Sequence, residues 1–188
     1  MNKYTRALID FPTALLKIIS LKVVHKNHFK SNKLQFTSPF SEITMDKGAK
    51  LEIGNKFRQR SHSRLRVRKN ANLKIGNNIS LNHGCMIVCR DNISIADGVQ
   101  FGPNVLLYDH DHDYKTDGGI NAGLFKTAPI EIGENVWIGA GSIILKGTKI
   151  GANSVVAAGS TIKGEFPENS LIYQPKSITT KVFVTNES

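Results

Sequence analysis

The chain has little cysteine, little aromatic surface and, over its first third, little negative charge. Only two cysteines occur in 188 residues, Cys85 and Cys89. Their spacing fits no zinc or redox motif, which excludes a disulfide framework and predicts a reducing, cytoplasmic setting. No apolar run is long enough for a plain transmembrane span. Residues 1–70 hold 16 Lys/Arg against 4 Asp/Glu, whereas residues 71–188 hold 9 against 11. The basicity therefore belongs to one particular surface. No aromatic residue interleaves the basic run from Arg58 to Lys69 to stack bases, which argues against nucleic acid. An anionic sugar, a lipid headgroup or a membrane surface suits that run better.

What is present is a period of six. Ile132, Ile138, Ile144, Ile150, Val156 and Ile162 follow one another without a break. Four places after the first five stand Val136, Ser142, Thr148, Ser154 and Ser160. Period six is neither helical nor a simple strand alternation. It predicts short strands joined by sharp turns, three to a coil of a triangular parallel β-helix. The aliphatic residue points inward, and the small or β-branched residue packs inside the corner, where bulk does not fit. A rougher set precedes it: Ile75, Leu81 and Ile87, a slip of two at CRDNISI (89–95), then Ile95, Phe101 and Leu107. Cys85 takes a corner slot that suits a small buried thiol.

Three further segments are expected around the repeats. Residues 1–30 carry Leu8, Phe11, Leu15, Ile18 and Ile19 at helical spacing. Because Pro12 is tolerated only near a first turn, the helix is expected from about Pro12 to Val24. It either packs on the solenoid or a neighbouring subunit, or lies on an anionic membrane. Residues 31–50 read as a connection or a first strand, so the β-helix domain is drawn over 31–180. Residues 181–188 form a C-terminal tail. Between Leu107 and Ile130 the sixes stop, and residues 108–129 are an inserted loop at one corner, where chemistry is often carried.

That loop opens on His110 and His112, set among Asp109, Asp111 and Asp113. If the chain is extended there, the two histidines share one face and the aspartates the other. Neutral imidazole can take a proton from an attacking hydroxyl, because it ionises near working pH. The same ring can ligate zinc, and His83, His110 and His112 form a conceivable three-imidazole set.

The repeats resemble the hexapeptide-repeat acyltransferases, the group with galactoside, maltose and capsular-polysaccharide O-acetyltransferases. The resemblance covers roughly residues 50–180. It implies a mainly β, left-handed parallel β-helix, working as a homotrimer, that transfers acetyl from acetyl-CoA to a sugar hydroxyl of a surface polysaccharide or its precursor. Acetyl-CoA would be a co-substrate, with no resident cofactor. The catalytic histidine of that group falls on His112 within DHDY (111–114), with His110 as the runner-up because this sequence doubles the histidine. Asn82 and His83 fall where the acceptor is bound. Trp137, Ala140, Ala158, Gly159, Lys163 and Lys176 fall along the path of acetyl-CoA, the two lysines toward its phosphates. The group's Thr-Lys pair is reduced to Lys163 here. Two alternatives stay open: a metal-dependent, carbonic-anhydrase-like β-helix enzyme, and a catalytically silent scaffold. Peripheral contact with the inner face of a membrane is the further expectation.

Overall fold

The computed structural model describes residues 3–32, 34–175, 177 and 180. Lys176 and the tail 181–188 lie outside them. Over the described residues the chain winds a left-handed parallel β-helix of six full turns and two strands of a seventh. Its first two faces each hold seven strands and its third face six. The sixes are the inward columns of these faces. Ile75, Ile95, Ile132 and Ile150 are in register on the first face. Leu81, Phe101, Ile138 and Val156 align on the second, and Ile87, Leu107, Ile144 and Ile162 on the third. All twelve side chains are buried. Stacked like on like, they bury apolar area continuously along the axis, which no single coil does alone.

The corner slots are filled as the small residues require. Ser142, Thr148, Ser154 and Ser160 are all buried. Their hydroxyls are not orphaned where the bonds are resolved: Ser142 Oγ donates to the Ala157 carbonyl at 3.1 Å, and Thr148 Oγ1 to the Leu145 carbonyl at 2.6 Å. A buried hydroxyl without such a partner would cost stability. Gly139 shows how close the coils run, because a Cβ there would stand 2.5 Å from the Ala158 nitrogen. Cys85 and Cys89 are unpaired, and their thiols donate to the Gly102 and Asn72 carbonyls.

The slip of two has a location. From the third face to the first, Leu65 to Ile75 takes ten residues, Ile87 to Ile95 eight, and Ile144 to Ile150 six. From Leu107 to Ile132 the step is 25, because the inserted segment leaves here. The corner between the third and first faces is thus widest in the early coils and opens fully at the fourth.

Two expectations are corrected at the N-terminal end. The helix runs from Lys3 to His25, with Pro12 inside it. Proline removes one intrahelical hydrogen bond and crowds the carbonyl four residues back. Here Pro12 and Leu8 are on the exposed side, so that carbonyl can meet water. Packing of buried Ala14 and Ile18 against the first coil holds the helix through the proline. Lys17 reinforces it, with Nζ donating to the Ser38 and Ser41 carbonyls at 2.7 and 2.6 Å. Residues 31–50 hold more than the connection or first strand expected. With Phe29–Ser31 they complete a first coil through Gln35–Thr37 and Glu42–Met45. Polar residues fill inward places there: Gln35, Thr37, Ser38 and Ser41 are buried. Gln35 accepts from the Phe57 amide at 2.9 Å and donates to the Gly54 carbonyl. An aliphatic period does not reveal a coil built this way.

Candidate active site

The inserted segment is a hairpin. After the strand Leu106–Tyr108 the chain runs out through His110–His112, turns through Gly119–Ala122 and returns along Phe125–Thr127. The two strands are antiparallel, pairing His110 with Thr127 and His112 with Phe125. The hairpin is tied to the solenoid by Lys146, whose Nζ is 3.0 Å from Asp111 Oδ2 and donates to the Lys126 carbonyl at 3.1 Å. Lys126 also meets Asp113 at 3.1 Å, and that hydrogen bond holds the Asp113 carboxyl below its usual value.

The extended strand puts His110 and His112 on one side, where both rings touch Phe125. The aspartates do not share the other side. Asp109 is fully buried, at the inward place that follows Tyr108. Its carboxylate accepts from the Arg90 amide at 2.8 Å and the Asp91 amide at 2.8 Å. Its Oδ1 lies 3.0 Å from His110 Nδ1. Burial pushes the Asp109 carboxyl up, but bonds from His110, the two amides and the Cys89 thiol outweigh it and hold the group below its usual range. The charge is therefore retained inside the corner, satisfied by backbone donors. Burial, with Asp109 beside it, pushes the Cys89 thiol far up and keeps it protonated.

The two histidines differ in what holds them. The His110 side chain is 11 % exposed and sits edge-on to Tyr108 and Phe125. A neutral ring that donates Nδ1–H to Asp109 leaves its lone pair on Nε2. His112 is exposed and rests on the Phe125 ring at 4.5 Å. Arg90 covers that ring, its guanidinium carbon 3.3 Å from the centroid, and its buried Nε has no hydrogen-bond partner among the described residues. Burial, ahead of the nearby Arg68, pulls the Arg90 pKa down; a guanidinium stays charged regardless. Asp109, Arg90 and Phe125 were not singled out from the sequence. The adjacency of Asp109 to His110 was a usable signal, but its burial was not visible.

The remaining candidates are dispersed. Asn82 and His83 lie at the other end of the third face, at its corner with the second. Asn82 Oδ1 accepts from the His83 amide at 2.9 Å, and His83 Nδ1 is 2.7 Å from Ser61 Oγ. Ala140, Ala158 and Gly159 line that same corner in later coils, and the Gly159 amide donates to the Ala140 carbonyl at 2.8 Å. What Gly159 offers is therefore space and not a donor. Trp137 stands outward on the second face, 57 % exposed, between Gln100 and Val155. Lys163 is exposed at the far end of the third face, past the strand Thr161–Ile162. Lys176 is outside the described residues. Within one chain, His110 and the Asn82 corner are separated by the width of the third face. The set His83, His110 and His112 does not converge, and no group of three His, Cys, Asp or Glu able to hold a metal occurs among the described residues.

Residues 129–164 match the bacterial transferase hexapeptide (six repeats) family model. The chain is 35 % identical over 102 residues to galactoside O-acetyltransferase of Lactococcus lactis, covering 54 % of this chain and 49 % of that protein. It is 37 % identical over 99 residues to galactoside O-acetyltransferase of Escherichia coli, covering 53 % and 48 %. The chain spans about half the length of the relatives it matches. In fold it resembles an N-acyltransferase from Bacillus cereus, AntD, solved with dTDP and coenzyme A. The TM-score there is 0.65 at 20 % identity, over 80 % of this chain and 84 % of that one. The chain thus carries the hexapeptide repeat and the β-helix of the hexapeptide-repeat acyltransferases, and resembles galactoside O-acetyltransferases in sequence.

Proposed function

We propose that the protein is an acetyl-CoA-dependent O-acetyltransferase acting on a sugar hydroxyl, with His110 as the general base oriented by Asp109. The observation that carries this reading is the Asp109–His110 pair at 3.0 Å, with its carboxylate fixed by two backbone amides. The named activity of the galactoside O-acetyltransferases supports the reaction class, acetyl transfer to a sugar oxygen. His110 Nε2 takes the proton of the sugar hydroxyl as its oxygen attacks the thioester carbonyl. The carbon–sulfur bond breaks, and the imidazolium returns the proton to the leaving thiolate. An oxygen ester and free coenzyme A thiol result. A positioned base of this kind contributes a factor of about 10² to 10⁴.

His112, the first choice from the sequence, is exposed, and no carboxylate among the described residues meets its ring. It suits the rim of the acceptor site better than the reacting centre. The proposed acceptor is a sugar of a surface polysaccharide or its precursor, and the proposed setting is the cytoplasm. Trp137, Ala140, Ala158 and Lys163 are proposed to border the donor, and Asn82 and His83 the acceptor. Because Asn82, His83, Ala140 and Ala158 lie at a different corner from His110, a complete site needs a second copy, and the working form is a homotrimer.

The test is release of coenzyme A thiol from acetyl-CoA with a panel of sugars. His110→Ala should lower turnover about 10²-fold or more with donor affinity nearly intact. His112→Ala should cost less than tenfold. Loss of turnover in His112→Ala with His110→Ala spared would move the base to His112. Loss of turnover on chelation, restored by zinc, would replace acyl transfer by metal chemistry.

A further inference from the structure

The N-terminal helix is apolar on two opposite sides. One side, with Ala14 and Ile18, closes the end of the solenoid. The other presents Leu8, Leu15, Leu16, Ile19 and Val23, of which Leu8, Leu16 and Val23 are about 70 % exposed or more. These positions fall on one stripe of a 3.6-residue helix, over about four turns. Contiguous exposed apolar surface of this length marks an interaction site. The helix has one acidic residue, Asp10, and it is buried on the packed side.

Charge decides what covers the stripe. Among residues 1–70 there are 16 Lys/Arg and 4 Asp/Glu. Besides buried Asp10, Glu52 pairs with Lys30, Glu42 lies beside Arg64 and Arg66, and Asp46 beside Arg68. Lys22, Lys26, Lys47, Lys50, Lys56 and Arg58 remain exposed on the helix and the first two coils. A second copy would bring the same cationic end against this one. An anionic surface with an apolar interior complements both the stripe and the charge. No helix of the described residues is long and apolar enough to cross a membrane, so the helix lies along the surface.

We infer that the outward face of the N-terminal helix, with the cationic first coils, docks the protein on an anionic lipid bilayer. The inference is independent of acyl transfer. Apolar residues enter the acyl boundary, while Lys22 and Lys26 meet headgroup phosphates. The solenoid end is what rests on the membrane, and the histidine hairpin, opening three coils further along, stands clear of it.

Sedimentation of the full chain with vesicles of phosphatidylcholine and phosphatidylglycerol tests this, against vesicles of phosphatidylcholine alone, over a salt series. The protein should pellet with the anionic vesicles, at least about tenfold less with the neutral ones, and progressively less as salt rises. Leu16→Glu with Ile19→Glu should lower partitioning about tenfold or more, with circular dichroism and thiol release on a soluble sugar unchanged. Lys22→Glu with Lys26→Glu should lower it and flatten the salt dependence. Equal pelleting of the wild type and Leu16→Glu/Ile19→Glu would overturn the inference. So would a fall in oligomer mass in that variant, which would make the stripe an interface between copies.

Discussion

Asp109 is the residue on which the candidate site turns. It occupies an inward place where the neighbouring coil has Cys89, and it keeps its charge because two amides and His110 donate to it. Its folded pKa is depressed, so its stabilising contribution is present above the ordinary carboxylate range. That contribution is lost as pH falls through the depressed value. Asp109→Asn should shift acid unfolding, followed by circular dichroism, by removing this contribution. Near neutrality it should destabilise by about 1–3 kcal/mol, because buried donors then face an amide. The same variant should lower turnover about 10²-fold or more while KM for the donor stays, because Nδ1 of His110 is no longer held as a donor. An unchanged rate would remove Asp109 from the mechanism.

At the scale of the coil, the repeat works through size exclusion at the corners. Ser142 is fully buried with its hydroxyl on the Ala157 carbonyl. Ser142→Leu should therefore cost about 1–3 kcal/mol or more from overpacking. Ser142→Ala should cost about 1 kcal/mol, for one hydrogen bond. Urea unfolding midpoints at constant slope would measure both, and a tolerated leucine would contradict the corner packing. The hairpin is a different kind of element. It has no period of its own and draws its position from Lys146 on the solenoid and from Phe125 between Arg90 and the two histidines.

For the whole molecule, the separation of His110 from the Asn82 corner sets the expected assembly. A cyclic trimer with parallel solenoid axes brings the third face of one copy toward a neighbour's corner. It also turns the three N-terminal helices to the same end, where they would engage one membrane together. Light scattering should return three times the 20.7 kDa of one chain. A monomer with full turnover would show that one chain holds a complete site.

Spacing by itself was enough for the solenoid. A strict six in aliphatic residues, with small residues four places on, has few foldings that bury every member, and the inward columns and corner slots lie where the period puts them. The same logic located the inserted segment, because the period stops there. It missed the first coil, whose inward places are held by Gln35 and Thr37, and the true length of the helix, whose passage through Pro12 depends on packing. Which of His110 and His112 meets a buried carboxylate was equally hidden. Both stand beside aspartates in the sequence. Only the tertiary structure turns Asp109 inward onto the Arg90 and Asp91 amides from the preceding coil, and so decides which imidazole has a fixed partner. Burial and cross-coil hydrogen bonds join residues about 20 places apart, and a reading of neighbours along the chain does not contain them.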